Sequence, residues 1–329
     1  MFTTKLHFYA TQINYVDCYQ FNRLHYVRSK VLDAKDTVKE MDKKDAADGW
    51  TKIGGIGLDF SLLNLINPRV GAGDNRVGFG GLLNYTANLK QGKVLWDNKF
   101  GLQLGVVKVG GDAFTKSTDV LQATSQWGYQ ISDSSKWYVA GLADFQTQFL
   151  PTYGANYLKT DAIAGKKQPL NAKLFAPAIF KFAPGVIYKA NEHFKVLYSP
   201  IALRAIIVAN DSVAKRATYI PLKDGKFQKT DLQLGSEIRA DYINKFLDGK
   251  LVYGSTLDLY SNYLRDPQNI VVEWYNSLDF MVYKNISVNF KSDWFYDHNI
   301  LVFKGGDVNY KGRDIFIRNT LLLKYNKLF

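Results

Sequence analysis

Four histidines and one cysteine are the obvious carriers of acid–base, nucleophilic or metal chemistry in this 329-residue sequence. His7 and His25 lie within an aromatic-rich opening stretch, and His193 follows an Ala190-Asn191-Glu192 turn. His298 stands next to Asp297 and is the single plausible general base. Adjacent residues on a strand point to opposite faces, so this pair does not make a dyad there. Cys18 has no partner for a disulfide, and Asp17 before it fits poorly with a lipid-acylation site. No His/Asp/Glu cluster has metal-ligand spacing, and Gly305-Gly306-Asp307 reads as a turn. Gly54-Gly55 and Gly78-Phe79-Gly80-Gly81 have the composition of a phosphate loop. They sit inside strand-like segments and precede no helix, so close backbone approach or sheet curvature explains them better. The expectation is no catalytic residue, no metal and no cofactor.

The ionisable residues that do follow a pattern are of a different kind. In segment after segment, apolar and polar residues alternate with period two, which puts each class on its own face of a strand. Ile286, Val288, Phe290, Trp294 and Tyr296 share one parity, and Ser287, Asn289, Lys291 and Asp293 the other. The polar parity gathers Arg76, Lys99, Lys181, Arg204, Arg239, Lys291, Arg318 and Lys324 with Asp59, Asp144, Glu237, Asp241, Asp258, Glu273, Asp279 and Asp293. If the apolar face meets lipid, these charges must line an interior, because a midplane Arg or Lys in lipid costs roughly 2–4 kcal/mol. Two kinds of chemistry follow. One is a polar conduit that selects solutes by charge; the other is a set of internal ion pairs that holds a narrow interior shut.

Twelve segments carry this alternation: 51–62, 75–90, 94–109, 117–132, 136–150, 174–189, 193–209, 228–246, 249–264, 270–284, 286–298 and 313–328. They run longer than the ~5–6 residues usual in globular sheets. Every second connection is short: Gln91-Gly92-Lys93, Asp133-Ser134-Ser135, Ala190-Asn191-Glu192, Leu247-Asp248 and Asn285. The others are longer, up to about two dozen residues, and short periplasmic turns alternating with long outer loops is the layout of outer-membrane barrels. Pro184 and Pro200 fall inside expected strands, where a missing N–H predicts a bulge or a misplaced boundary.

Composition agrees. No apolar run approaches the ~18 residues of a spanning helix. The 21 Tyr, 21 Phe and 6 Trp suit aromatic girdles at two water–lipid interfaces. The net charge of +12 is spread along the chain without a basic cluster, so nucleic acid is not an expected partner. Residues 1–49 lack the alternation and read as a periplasmic leader, partly helical or disordered, ahead of a barrel over 50–329. No export signal is visible: the stretch after Lys5 is too polar.

Several stretches resemble an uncharacterised outer-membrane barrel family of Bacteroidota, known as a domain of unknown function. They include GWTKIGGIGLDFSLLNLIN, GAGDN, LWDNKFGLQLG, KSTDVLQATSQWGYQ, KWYVAGLADFQTQFLP, LFAPAIFKFAPGVIYK, FKVLYSPIA and DLYSNYLRDPQNIVVEW. Departures lie at Pro68, where the family has Trp, and at the looser Gly71-Ala72-Gly73. The resemblance implies a barrel and an outer-membrane address in a Gram-negative bacterium, and no activity. The final strand ends on Phe329, which shares the lipid-facing parity of Ile315, Ile317, Leu321, Leu323 and Tyr325. Such a terminal aromatic resembles the signal read by the barrel-assembly machinery.

The sequence therefore predicts an all-β fold: one closed antiparallel transmembrane barrel of about twelve strands with a short N-terminal leader. Its expected partners are outer-membrane lipid and the assembly machinery; its oligomeric state stays open. The first functional expectation is a non-enzymatic, porin-like pore for small polar solutes. The alternatives are a closed structural or adhesion barrel acting through loops 151–173 and 210–227, and a hydrolase built on His298.

Overall fold

The computed structural model describes residues 48–66, 76–108, 114–154, 169–216, 219–220, 222–298, 302–303 and 311–328. The leader expected over 1–49 lies outside these except for its last two residues, as do Pro68, the 71–73 and 305–307 turns and Phe329.

Twelve strands form one closed barrel. In chain order they are β1 (Gly49–Ile66), β2 (Arg76–Gln91), β3 (Val94–Lys108), β4 (Thr115–Gln130), β5 (Trp137–Thr147) and β6 (Ala178–Lys189). The second half comprises β7 (Phe194–Ile207), β8 (Thr230–Phe246), β9 (Leu251–Asn262), β10 (Ile270–Tyr283), β11 (Ile286–Tyr296) and β12 (Phe316–Leu328). Each strand pairs antiparallel with its sequence neighbours, and β12 returns to β1 from Gly55↔Leu328 to Ile66↔Ile317. Closure leaves no sheet edge, so backbone N–H and C=O groups are satisfied within the wall and can cross hydrocarbon.

The turns are cheap to build where their residues accept positive φ. Gly92 (φ 53°) reverses β2 into β3, and its N–H donates to the Asp48 carboxylate at 2.9 Å. Asp248 and Gly249 take positive φ readily between β8 and β9, whereas Leu247 (φ 54°) does so at a steric cost. Asn191 Oδ1 accepts from the N–H groups of His193 and Phe194 between β6 and β7, both at 2.9 Å.

Parity sorts the wall as the alternation requires. Outward residues such as Leu58, Phe79, Leu203, Leu232 and Leu323 are exposed, whereas the inward polar residues Asn84, Gln122, Asp144, Glu237, Asn289 and Lys324 are buried. An apolar exterior on a closed sheet is a lipid-facing surface: this is a transmembrane barrel. Trp50, Trp96, Trp127 and Trp137 ring the end bearing the short turns, and Trp274 and Trp294 pack at a 60° tilt, centroids 5.3 Å apart, nearer the loop end. Outward Ser side chains bond three of these rings and in turn donate to Asn98, Asn276 and Asn319. The indole N–H groups of Trp96, Trp274 and Trp294 donate to Ser125, Ser255 and Ser292, each at 2.8 Å.

Pro200 lies at a bulge. Between the pairs Gly235↔Ala202 and Glu237↔Ser199, Pro200 and Ile201 oppose the single residue Ser236. The expected fifth strand, 136–150, stops at Thr147, because the N–H groups of Phe149 and Leu150 leave the ladder for the Asp119 carboxylate at 2.8 and 3.0 Å. The sixth begins at Ala178 instead of 174, behind a short pairing of Thr152–Tyr153 with Leu170–Ala172.

At Gly185, β6 approaches β7 so closely that a Cβ would collide with the Tyr198 carbonyl oxygen and lie 2.9 Å from Ser199 Cα. Outward-facing Gly81 has only the Gly57 carbonyl oxygen, at 3.9 Å from a built Cβ. Gly185→Ala is therefore expected to destabilise the barrel by about 1–3 kcal/mol, with Gly81→Ala within about 0.5 kcal/mol of wild type. Urea unfolding in lipid vesicles compares the two.

Candidate functional site: the barrel interior

The interior is a set of packed layers. The central layer is charged. Lys181 on β6 reaches past β7 to ion-pair with Glu237 on β8, with Asp258 on β9 at 3.2 Å and with Asp144 on β5 at 3.9 Å. Arg239 extends the layer, 3.5 Å from both Asp144 and Asp241. Thr124 on β4 donates to Asp144 at 2.7 Å, and Thr256 on β9 to Asp241 at 2.6 Å. Five strands are thus cross-braced through their inward side chains. Lys181 and Glu237 are 6% and 0% exposed, so water does not reach the centre of this layer.

A second group occupies the wall near the closing seam. Arg318 on β12 pairs with Asp293 on β11, and Lys324 on β12 lies 3.8 Å from Asp279 on β10. Asn289 on β11 donates to Ser277 on β10 at 2.8 Å. Asp59, Asp279 and Lys324 are all buried.

Apolar residues close what the charges leave. Ala140, Leu142, Ala183, Ile187, Leu197, Ala202 and Tyr260 form a buried cluster on the inward parity of β5, β6, β7 and β9. Tyr275, Phe295, Val302 and Phe316 form another toward the loop end. The sequence expectation was a narrow, charged lumen; buried Leu142, Ile187 and Leu197 add apolar filling to it on the β5–β7 side.

The sequence-selected residues fall as follows. Lys181, Glu237, Asp258, Arg239 and Asp241 meet in the central layer; Asp279, Asp293 and Arg318 belong to the seam group. Lys99, Arg204, Glu273 and Lys291 face inward and are half-buried. Glu273 accepts from the Tyr275 hydroxyl at 2.8 Å, and Arg204 sits in register between Lys181 and Gln233. Arg76 opens β2 opposite Leu63, with its side chain outside the described residues. His298 has its Nδ1 at 3.5 Å from the Tyr296 hydroxyl and its carbonyl oxygen on Arg313 Nε at 2.9 Å. Among the described residues no group of three or more His, Cys, Asp or Glu could hold a metal ion.

Two features were missed in sequence. The first is a buried pair at the loop end of β4. Lys116 Nζ lies 2.5 Å from Asp119 and from the Thr152 hydroxyl and 2.8 Å from Gln148, stapling the chain after β5 to the rim. The second is an ordered loop-end cap. Ala172, Ala176, Val208, Val213, Ala214, Tyr219 and Ile220 form their own small core. Tyr219 donates to the Asn171 carbonyl oxygen at 3.0 Å and Arg216 to the Asn171 side chain at 2.9 Å. Burial pushes the Tyr219 phenol well up, so it stays a hydrogen-bond donor. A one-turn helix, Asp211–Ala214, is capped by Asn210. A hydrogen bond and the charge of Lys229 hold the Asp211 carboxyl below its ordinary range. The only local signal was the Asn210-Asp211-Ser212 cap sequence.

Residues 63–153 match the family model described as a protein of unknown function (DUF3078), a match that stops short of half the chain. No curated protein matches the sequence. Similar solved structures include an outer-membrane channel of Pseudomonas putida F1, at 12% identity and TM-score 0.41, covering 85% of this chain and 97% of that one. The translocator domain of the autotransporter NalP from Neisseria meningitidis is similar at 9% identity and TM-score 0.38, covering 90% and 96%. An anion-selective porin from Comamonas acidovorans is similar at 10% identity and TM-score 0.32, covering 85% and 100%.

Removing Lys181 would leave three buried carboxylates without their shared cation. Lys181→Met is expected to cost about 3–5 kcal/mol. Lys93→Met, which removes a pair with Asp133 whose side chains are 35% and 90% exposed, should cost less than about 1 kcal/mol. Chemical denaturation of both variants in vesicles separates these values.

Proposed function

We propose that this chain is an outer-membrane β-barrel that rests with its lumen shut and meets other molecules through its loop-end cap. The turn end is then periplasmic and the loop end faces outward. One observation carries the reading: the Lys181–Glu237–Asp258–Asp144 layer bridges β5, β6, β8 and β9 inside the bore and is buried against an apolar cluster. A bore filled to this extent gives a hydrated ion no continuous path.

A second reading, selective passage of small polar solutes after a rearrangement, draws on the inward charges that stay accessible. The side chains of Asp241 and Arg318 are 26% and 24% exposed, and Lys99, Arg204, Glu273 and Lys291 are half-buried.

Planar-bilayer recording of the refolded protein decides between the two. The wild type is expected to be silent, and the pair Lys181→Ala with Glu237→Ala to open discrete conductance steps. Steady steps from the wild type would overturn the closed reading. Arg239→Glu should then shift the ion preference toward cations.

A further inference from the structure

The lipid-facing wall is not uniformly convex. On its outward side, β2 to β8 carry an apolar groove of about 780 Å³, within the ~300–1,000 Å³ range of ligand pockets. Small side chains make its floor: Ala87, Ala123, Ala143 and Ala205. Phe100, Phe145, Phe180 and Phe182 make its walls. The register joins these residues into a continuous path. One cross-strand row runs Ala87↔Asn98↔Ser125↔Ala143↔Phe182↔Leu203, and the next runs Tyr85↔Phe100↔Ala123↔Phe145↔Phe180↔Ala205. All have outward parity, and the path lies between the strand ends, at the depth of acyl chains.

The charge pattern beside the groove says what would fill it. Lys52 on β1 and Lys327 on β12 are exposed and take the lipid-facing parity in the turn-end halves of their strands. An ammonium on that parity is tolerable only at headgroup depth, where anionic lipid attracts it. Lys52 is the direct cross-strand neighbour of Ala87, where the groove floor begins. Trp50 lies two residues before Lys52 on the same face, with its ring 5.7 Å from that of Trp96. An interfacial aromatic pair, an anion holder and an apolar channel therefore follow one another upward along the wall.

We infer that this wall binds an anionic glycerophospholipid of the periplasmic leaflet, with its phosphate at Lys52 and an acyl chain in the alanine-floored groove. The inference rests on the membrane reading above. Integration of the wild type into phosphatidylcholine vesicles tests that reading separately, because the zwitterionic bilayer does not call on the site. Lipid binding is then read by native mass spectrometry of the full chain in mild detergent, titrated with dioleoyl phosphatidylglycerol or dioleoyl phosphatidylcholine. Phosphatidylglycerol should bind at least tenfold more tightly. Ala123→Phe with Ala143→Phe should lower retention of both lipids at least tenfold, while the heat-dependent gel shift reports an intact barrel. Lys52→Gln should erase the preference and leave the weaker binding in place. Equal retention of the two lipids by the wild type, or unchanged binding after the groove is filled, would overturn the site. Displacement of phosphatidylglycerol by lipopolysaccharide at equal concentration would overturn its assignment to the periplasmic leaflet.

Discussion

Everything in this molecule follows from one constraint: a peptide group crossing hydrocarbon has no water to bond with. Each unsatisfied N–H or C=O there costs several kcal/mol, so the sheet must close. The β1–β12 ladder, from Gly55↔Leu328 to Ile66↔Ile317, is the pairing that abolishes the last edge. It joins residues more than 250 positions apart, the most distant strand pairing among the described residues and the one that loop-closure entropy makes slowest to form.

Closure then dictates chemistry on both faces. Outside, residues must be apolar or internally satisfied, and the Ser125, Ser255 and Ser292 hydroxyls meet this by accepting indole N–H groups. Inside, a narrow bore leaves little room for water, so charges placed there must answer each other. Lys181 does so with three carboxylates at once. Such a layer is weak evidence for stability, because desolvating its members offsets much of their attraction. Its clearer consequence is specificity: a slipped register would strand one of these charges without its partner, or in lipid.

This explains which parts of the structure were legible in the sequence. Strand number, order and parity were, because period two is a local signal that Ile286 to Tyr296 displays within eleven residues. The short turns were as well, since Gly92, Asn191 and Asp248 announce their backbone chemistry. Pairing among the charges was not. Glu237 and Asp258 lie 56 and 77 residues from Lys181, and no local pattern relates them. Nor could parity separate an open polar bore from a closed one, because both need inward charges. Leu142, Ile187 and Leu197 are the residues that speak for a closed bore, and an occasional inward apolar residue is lost among the inward polar ones. The Lys116–Asp119 staple escaped for another reason. The strand was expected to continue to 150, and only the folded chain reveals that Asp119 takes over the N–H groups of Phe149 and Leu150.

The bulge at Pro200 shows how tightly these demands interlock. Before it, Leu197 and Ser199 point inward and Tyr198 outward; after it, Ala202 and Arg204 point inward and Leu203 outward. Odd positions face the bore on one side of the bulge, and even positions on the other. A regular strand would therefore place either Arg204 in lipid, at roughly 2–4 kcal/mol, or Ser199 and Leu197 on the wrong face. Inserting one residue resolves the conflict, and proline is the residue that loses least there, having no N–H to leave unpaired. The Ser199 hydroxyl lies within donor reach of the carbonyl oxygens of Pro184 at 2.7 Å and Ile201 at 3.0 Å and offers its one proton where the ladder is irregular. Gly185 completes the arrangement, since only a residue without a Cβ lets β6 approach the displaced backbone. Proline, serine and glycine thus act together as one device that keeps the charged layer inside and the apolar wall outside.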